Sequence, residues 1–519
     1  MEHRQQPLTP FNPKTLKPFN PSTLKPFSPY PMQKKLLSGL FWILLLNLLI
    51  KPFWILGIET GVQNAVGTVE YGFYFTIFNL AYIFNILLDL GVTNFNTRNI
   101  ARHPVLIDKH LPGILGMKLL LVLLYGVVTF TVGLAAGYSS RQFALLAILT
   151  FNQFLNSLIL FLRSNFEGLM LFKWDSVISI LDRVVMIAIC SMMLWGPRRG
   201  ITVEWFALAQ TAAYTVTAAT ALVVLTLRIR REHNARFSLR SLRVKKAFAI
   251  VILRKSFPFA LLVLLMASYN RIDPLLLSWL HPLGTYQAGI YAGAFRLLDA
   301  LTMVAYLVSV PLLPVFSRMT AENDAQLGAT TRMVTGLMTV FSVTAAALFS
   351  SHSELFMQLL YHRQPSTVVA DYIPVFSILV WGIVPISMTY VFGTLLTAAG
   401  KLRQLNLLAA VALAVNIAVN LVLIPRLGAV GSAWAAVTAQ GFMAIAQIVV
   451  AVGMLHLRPA KGYLLRLLLF AAVVTAAMWL LPAMPWWAAL AAGGAVGLAV
   501  ALPLRLIDVK NILQIVSNE

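Results

Sequence analysis

The 519-residue sequence is 59% hydrophobic and only 11% charged, with a mean hydropathy of +0.80. No soluble core of this length needs so much apolar surface; stretches of about 20 apolar residues, each able to cross roughly 30 Å of hydrocarbon as a helix, recur along it. The formal charge of +22 would suggest nucleic acid in a soluble protein, but in a membrane chain the basic residues must be located first.

The first 33 residues carry a degenerate eight-residue repeat, "PFNPKTLK", "PFNPSTLK", "PFSPYPMQ". Such Pro-rich low complexity cannot pack a core, so residues 1–35 are expected to form an extended cytoplasmic tail. A proline-recognition ligand is its functional reading and a dispensable spacer the plainer one. "MQKKLLSGLFW", from Met32, reads like a natural membrane-protein start. The apolar run behind it is long and lacks an A-x-A site, so it is expected to be retained as the first span.

Hydropathy predicts about fourteen spans, near 36–58, 71–91, 113–137, 142–162, 172–195, 204–227, 256–280, 286–312, 331–350, 373–398, 404–424, 429–455, 463–481 and 485–505. The expected fold is an all-α polytopic membrane protein. An N-lobe over about 36–228, a basic connector over about 229–255 and a C-lobe over about 256–455 are followed by two spans within about 456–505 and a tail over about 506–519.

Basic residues gather on one side. The tail holds Arg4, Lys14, Lys17, Lys25, Lys34 and Lys35, and the connector region runs from Arg228 to Lys255 with ten Lys or Arg, whereas the opposite loops contribute Arg141, Arg198, Arg199, Arg363 and Arg426. The positive-inside rule places both termini in the cytoplasm. The charge then reads as topological, with attraction to membrane lipid headgroups and no need for nucleic acid. Cys190 is the single cysteine, so no disulfide framework exists. The eight histidines have no metal-ligand spacing, and no nucleotide or nucleophile-elbow motif falls in a suitable context, so no metal or cofactor is expected.

An internal repeat spans the connector. "VGTVEYGFYFTIFNL" at 66–80 aligns without a gap to "LGTYQAGIYAGAFRL" at 283–297, matching Gly67/Gly284, Thr68/Thr285, Gly72/Gly289, Tyr74/Tyr291, Phe78/Phe295 and Leu80/Leu297. An even number of spans separates the two copies, so they share one topology. Two like-oriented six-helix lobes around a central cavity are a transporter architecture.

The stretch 66–102, "VGTVEYGFYFTIFNLAYIFNILLDLGVTNFNTRNIAR", resembles the signature of the polysaccharide transporters in the multidrug/oligosaccharidyl-lipid/polysaccharide exporter superfamily. "ASYNRIDPLLLSWL" with "GTYQAGIYAGAFRLLDAL" resembles that family's seventh and eighth helices, and "NIAVNLVLIPRLGAVGSAWA" its eleventh-to-twelfth turn. The resemblance implies a Wzx-type flippase of the bacterial inner membrane. Such a protein moves an undecaprenyl-diphosphate-linked oligosaccharide, a precursor of O-antigen, capsule or exopolysaccharide, from the cytoplasmic to the periplasmic leaflet by alternating access. It also implies two extra C-terminal spans and polysaccharide polymerase machinery as a partner.

A lipid diphosphate needs cations and hydrogen-bonding groups shielded from lipid. Lys51 lies one turn after Asn47 in the first span, Arg271 lies in the seventh and Arg296 in the eighth; these four residues are the expected substrate-binding set. A structural ion pair is the alternative for each cation, with Asp299 at i+3 the expected partner of Arg296. Asp89, Asp182, Asp273 and Asp299 are candidates for coupling to H⁺ or Na⁺, or for compensating buried cations. On a regular helix Asp273 points away from Arg271, and Arg183 away from Asp182. Pro274 predicts a bend. Asn79, Tyr82, Asn85 and Asp89 share a stripe of the second span, as do Asn416 and Asn420 on the eleventh and Gln440 and Gln447 on the twelfth, for helix-helix bonding or a sugar path.

Other readings are a cation-coupled small-molecule exporter or a peptidoglycan-precursor flippase of the same superfamily, and a membrane polymerase or ligase. The last requires a catalytic extracytoplasmic loop. The longest such loop, near 351–372, offers only His352, Glu354, His362, Arg363 and Asp371 and is expected to be re-entrant or surface-bound, so no enzyme is expected.

Overall fold

The computed structural model describes residues 50–93, 96, 97, 100, 107–169, 171–196, 200–233, 246–322, 324, 326–457 and 462–506. Asn47, the Pro-rich repeat, the centre of the basic connector and nearly all of the C-terminal tail lie outside the described residues. Every regular element among the described residues is helical.

In the N-lobe the first helix passes through a π-helical stretch, Trp54–Glu59, into α1 (Thr60–Val66). Gly67, at φ 87°, turns the chain in a region that glycine enters without strain. α2 (Thr68–Ile83) follows and tightens into a 3₁₀ turn, Phe84–Leu88. Then come α3 (Ile107–Ala135), α4 (Ser140–Gly168), α5 (Phe172–Trp195) and α6 (Val203–His233). A capping box starts α4: the Ser139 side chain accepts from Gln142 N, and the Gln142 side chain returns to Ser139 N, satisfying two donors that the first turn leaves free.

The C-lobe opens with α7 (Lys246–Arg271) and α8 (Asp273–Leu280), bent by 49° at their junction. Pro274 supplies the cause, since its ring has no N–H and crowds the carbonyl one turn earlier. α9 (Gly284–Ser309), α10 (Leu312–Ala321), α11 (Leu327–Ser351), α12 (Ser353–Leu360), α13 (Ser366–Leu379), α14 (Ile383–Ala398), α15 (Leu402–Leu427) and α16 (Ala429–Met454) complete this lobe. α17 (Tyr463–Leu480) and α18 (Trp486–Ala501) pack on α11. That contact uses small residues, as membrane helices do: a Cβ on Gly497 would lie 2.5 Å from Thr344 Oγ1, and one on Gly493 2.7 Å from Leu348 Cδ2.

Among the described residues eleven helices are long and apolar enough to span a membrane, or twelve if the bent α7–α8 pair counts as one span. The shorter α18 and the helix that begins at residue 50 of the described residues fall within the other two of the fourteen expected spans. The polarity is that of a lipid-embedded protein. Leu464, Leu465 and Leu468 are exposed on α17, while Gln63, Asn165, Asp273, Asn416 and Asn420 are buried, because polar groups in hydrocarbon must find partners inside.

The expected loop at 351–372 is largely helical, forming α12 and the start of α13. Three of its five polar residues are engaged separately: His352 bonds Ser351, Glu354 takes a bond from Gln358, and Asp371 takes one from Tyr286.

Candidate functional site

The lobes meet on the side where α1, α8 and α12 end and α2, α9 and α13 begin. Their most extensive contact is the α2–α9 crossing, where the repeat-related Gly72 and Gly289 bring the two backbones together. Gln63, fully buried at 0% exposure, bonds across it. Its Nε2 donates to Gly289 O and Tyr372 Oη, both at 3.0 Å, and its backbone carbonyl accepts from Gln364 Nε2 at 3.0 Å. Thr68 and Tyr372 share a hydroxyl contact of 2.8 Å, Asn64 donates to Leu360 O at 2.8 Å, and Tyr361 stacks on Tyr372 at 4.4 Å. N-lobe residues are thereby sealed against α9, α12 and α13.

Beneath this seal lies a cavity of about 420 Å³ lined by both lobes. Lys51, Arg271 and Arg296, far apart in sequence, all line it, together with Arg183, which was not among the expected binding residues. Each lobe thus contributes two cations, and against these four stand two carboxylates, Glu59 and Asp299. The formal excess is two positive charges.

The ion pairs differ from those expected along the chain. Arg296 does not pair with Asp299. Its Nη1 lies 3.5 Å from Glu59 Oε2 in the other lobe, and its Nη2 donates to Gln63 Oε1 at 3.1 Å. Asp299 instead accepts from Arg271 at 3.4 Å. Sequence reasoning missed Glu59 because the first span was ended one residue short of it; the π-helical stretch carries the helix onward and turns this carboxylate toward α9. A π-turn in a predicted span leaves no periodicity signal, although such turns often mark functional sites.

Arg296 is buried at 3% exposure, and its Nε and Nη1 have no hydrogen-bond partner among the described residues. Aromatic rings hold the guanidinium groups in place. Arg296 sits 4.6 Å over Tyr71, Arg271 lies between Tyr82 at 5.2 Å and Phe295 at 4.9 Å, and Arg183 is 5.4 Å over Trp54. Each such contact is worth about 0.5–2 kcal/mol. Tyr71, Tyr74, Phe78 and Tyr82 stack in turn down one face of α2, with centroids 5.5, 5.8 and 6.0 Å apart, and all four line the cavity. Cationic donors among flat aromatic surfaces can hold a phosphate next to a polar, ring-shaped group.

The other predicted residues lie elsewhere. Asp89 accepts from Lys118 Nζ at 3.1 Å and from Gly91 N, Thr93 N and the Thr93 hydroxyl, fixing the turn after the second span. The stripe Asn79, Tyr82, Asn85 and Asp89 is not continuous, because the 3₁₀ turn at 84–88 advances 120° rather than 100° per residue. Asp182 lies 3.8 Å from Arg183 Nε, a correction to the expectation that the two diverge: a long guanidinium can fold back beside its neighbour. Asp175, on the same helix, forms a two-pronged pair with Arg163 at 2.7 and 3.0 Å.

Asp273 does not touch Arg271. It is 1% exposed and accepts from Asn416 at 3.1 Å, Asn420 at 2.8 Å and Tyr291 at 3.0 Å, with Ser432 alongside. Its bonds among the described residues are to neutral groups, and Asn420 Oδ1 has no hydrogen-bond partner among them. A buried carboxylate met by neutral donors, with the Asn420 and Ser432 oxygens close by, can take up a proton or, if the amides turn their oxygens inward, a hard monovalent cation.

Two like-oriented helical lobes, sealed on one side over a shared polar cavity, define a membrane transporter. Residues 36–320 match the profile of a family described as "Polysaccharide biosynthesis protein", and the chain belongs to that family. Three solved structures share its fold. An inward-facing multidrug resistance MATE family transporter of the MOP superfamily is 14% identical, covers 80% of this chain and 98% of its own, and has a TM-score of 0.62. The lipid II flippase MurJ, in an inward closed conformation, is 12% identical, covers 93% and 100%, and also scores 0.62. A MOP superfamily transporter from Pyrococcus furiosus is 14% identical, covers 82% and 96%, and scores 0.59. No curated protein matches the sequence at a significant level.

Proposed function

We propose that this flippase carries an undecaprenyl-diphosphate-linked oligosaccharide from the cytoplasmic to the periplasmic leaflet of the bacterial inner membrane. The observation that carries the reading is the convergence of Lys51, Arg183, Arg271 and Arg296, two from each lobe, on one cavity. Four cations over two lining carboxylates, with Asp182 behind Arg183 as a third, still leave positive charge in excess and favour an anion, because buried charge is tolerated where a ligand or partner compensates it. The aromatic file on α2 offers stacking surface to sugars. A cation-coupled exporter of organic cations would be repelled by the same excess charge, which disfavours that alternative; a peptidoglycan-precursor flippase would use the same chemistry on a different glycan.

With both termini in the cytoplasm, as the basic tail and connector support, the seal around Gln63 faces the periplasm and the state described is inward-facing. The lobes, with boundaries near 36–228 and 256–455, rock about the α2–α9 crossing, and the two C-terminal helices ride on the C-lobe. Asp273 with Asn416, Asn420 and Ser432 serves as the site for H⁺ or Na⁺, whereas Asp89, Asp182 and Asp299 compensate Lys118, Arg183 and Arg271. Polymerase machinery receives the flipped lipid. Binding of undecaprenyl diphosphate to the purified protein tests the cavity assignment. Saturable binding that weakens at least tenfold in Arg271→Ala and falls with salt supports it; binding unaffected by either change excludes it.

A further inference from the structure

We propose that Gln63 is a positioning residue that couples anion binding at Arg296 to release of the seal between the lobes. The inference rests on the reading of the central cavity as an anion path. Gln63 belongs to both systems at once: its Oε1 accepts from Arg296 at 3.1 Å, while its Nε2 holds Gly289 O and Tyr372 across the lobes at 3.0 Å. Its amide is fully buried, so each of these bonds must be replaced if lost.

Arg296 is arranged to let go. Among the described residues only its Nη2 is hydrogen-bonded; Nε and Nη1 are buried with no hydrogen-bond partner among them, although Nη1 lies 3.5 Å from Glu59. Its two unmade donors lie on different sides of the guanidinium, and each can donate to an anion oxygen that enters beside it. An anion bound there draws the guanidinium into the cavity and away from Gln63. Gln63 Oε1 then keeps only Tyr361 Oη, at 3.5 Å, and a buried acceptor left so weakly bonded raises the energy of the sealed state.

The direction follows from the general rule that a ligand shifts an equilibrium only by its differential affinity for the two states. In the sealed state Arg296 is shared between Gln63 and the anion; once the seal opens it belongs to the anion alone. Anion binding therefore favours opening, by about 5- to 150-fold for one coupling of ordinary strength. An empty protein keeps its seal, as a transporter that must not leak requires.

Spin labels at Ala65→Cys and Ser366→Cys, exposed positions on the two sides of the seal, read the opening in the full-length, Cys190→Ala protein in nanodiscs, with undecaprenyl diphosphate as the probe. The probe should raise the open fraction at least fivefold. Gln63→Leu, which removes every amide bond, should open the seal without the probe. Gln63→Glu, which strengthens the bond to Arg296 but sets an acceptor oxygen against Gly289 O, should likewise open it without the probe. If either variant stays sealed without the probe, or the probe opens all three proteins equally, Gln63 only fills space and the proposal is overturned. A probe that does not bind the otherwise unmodified protein overturns the cavity reading and this proposal together; bound probe with no response of the seal overturns this one alone.

Discussion

Gly72 and Gly289 occupy the same position in the two repeats and pack against each other's helices. A Cβ on Gly72 would fall 2.0 Å from Thr285 O and 2.6 Å from Gly289 N, and a Cβ on Gly289 2.0 Å from Thr68 O. The contact is reciprocal: each glycine meets the backbone that, in its own repeat, leads into the other's counterpart. That reciprocity is the mark of a two-fold relation between like-oriented halves, and it makes the repeat the closure surface of the transporter.

Alanine at either glycine should therefore act as a wedge. Backbone atoms cannot yield as a side chain can, and overpacking of this kind costs about 1–3 kcal/mol. Gly72→Ala and Gly289→Ala should each shift the lobes toward the unsealed arrangement roughly tenfold, measured by thiol accessibility of a Thr68→Cys reporter, while leaving the melting temperature of the separate helix packing little changed.

Glu59→Gln should strengthen anion binding. Glu59 is the carboxylate 3.5 Å from Arg296 and is partly exposed to the cavity, at 28%. Removing its charge raises the excess in the cavity from two to three and frees Arg296. The gain expected is about 1 kcal/mol, or roughly fivefold in Kd for undecaprenyl diphosphate, read by titration at low and high salt. Weaker binding in this variant would mean that Glu59 orients Arg296 rather than competing for it.

Asp273→Asn tests the ion site. The amide fits among Asn416, Asn420 and Tyr291 but cannot carry charge, so the protein should fold while transport in vesicles loses its response to an imposed Na⁺ or pH gradient. A variant that responds as strongly as the parent would reduce the cluster to a structural knot between α8 and α15.

Lys118→Met should lower stability without touching binding. Lys118 is buried, bonds Asp89, Ser157 and Leu88 O, and lies outside the cavity lining. Breaking the pair should cost about 1–3 kcal/mol, moderated because Asp89 keeps three further donors; thermal melting with unchanged Kd is the expected result.

Much of this arrangement is legible in the sequence, for reasons particular residues make plain. Membrane spans advertise themselves because lipid tolerates so little besides apolar helix, and an intramembrane Lys51, Arg271 or Arg296 stands out against that background. The repeat pairs Gly72 with Gly289 because both must admit a crossing backbone. What the sequence hides is which charge meets which. Arg296 looks paired with Asp299 at i+3 yet reaches Glu59 across the lobes, and Asp175 finds Arg163 over a break between α4 and α5. Gln63 carries no charge and sits at the end of a span, so nothing in hydropathy or periodicity singles it out; only the closed lobes bring it Gly289, Arg296, Tyr361, Gln364 and Tyr372 as partners.

The central claim, that the cavity carries an anionic lipid-linked glycan, is tested most directly by transport. Purified protein in vesicles is loaded on one leaflet with labelled undecaprenyl-diphosphate oligosaccharide, and the label reaching the opposite leaflet is followed over time. The account predicts movement by the parent protein and a loss of at least tenfold in Arg271→Ala at equal folding. Equal movement in both, or none by the parent with its native lipid and ion gradient supplied, would contradict it.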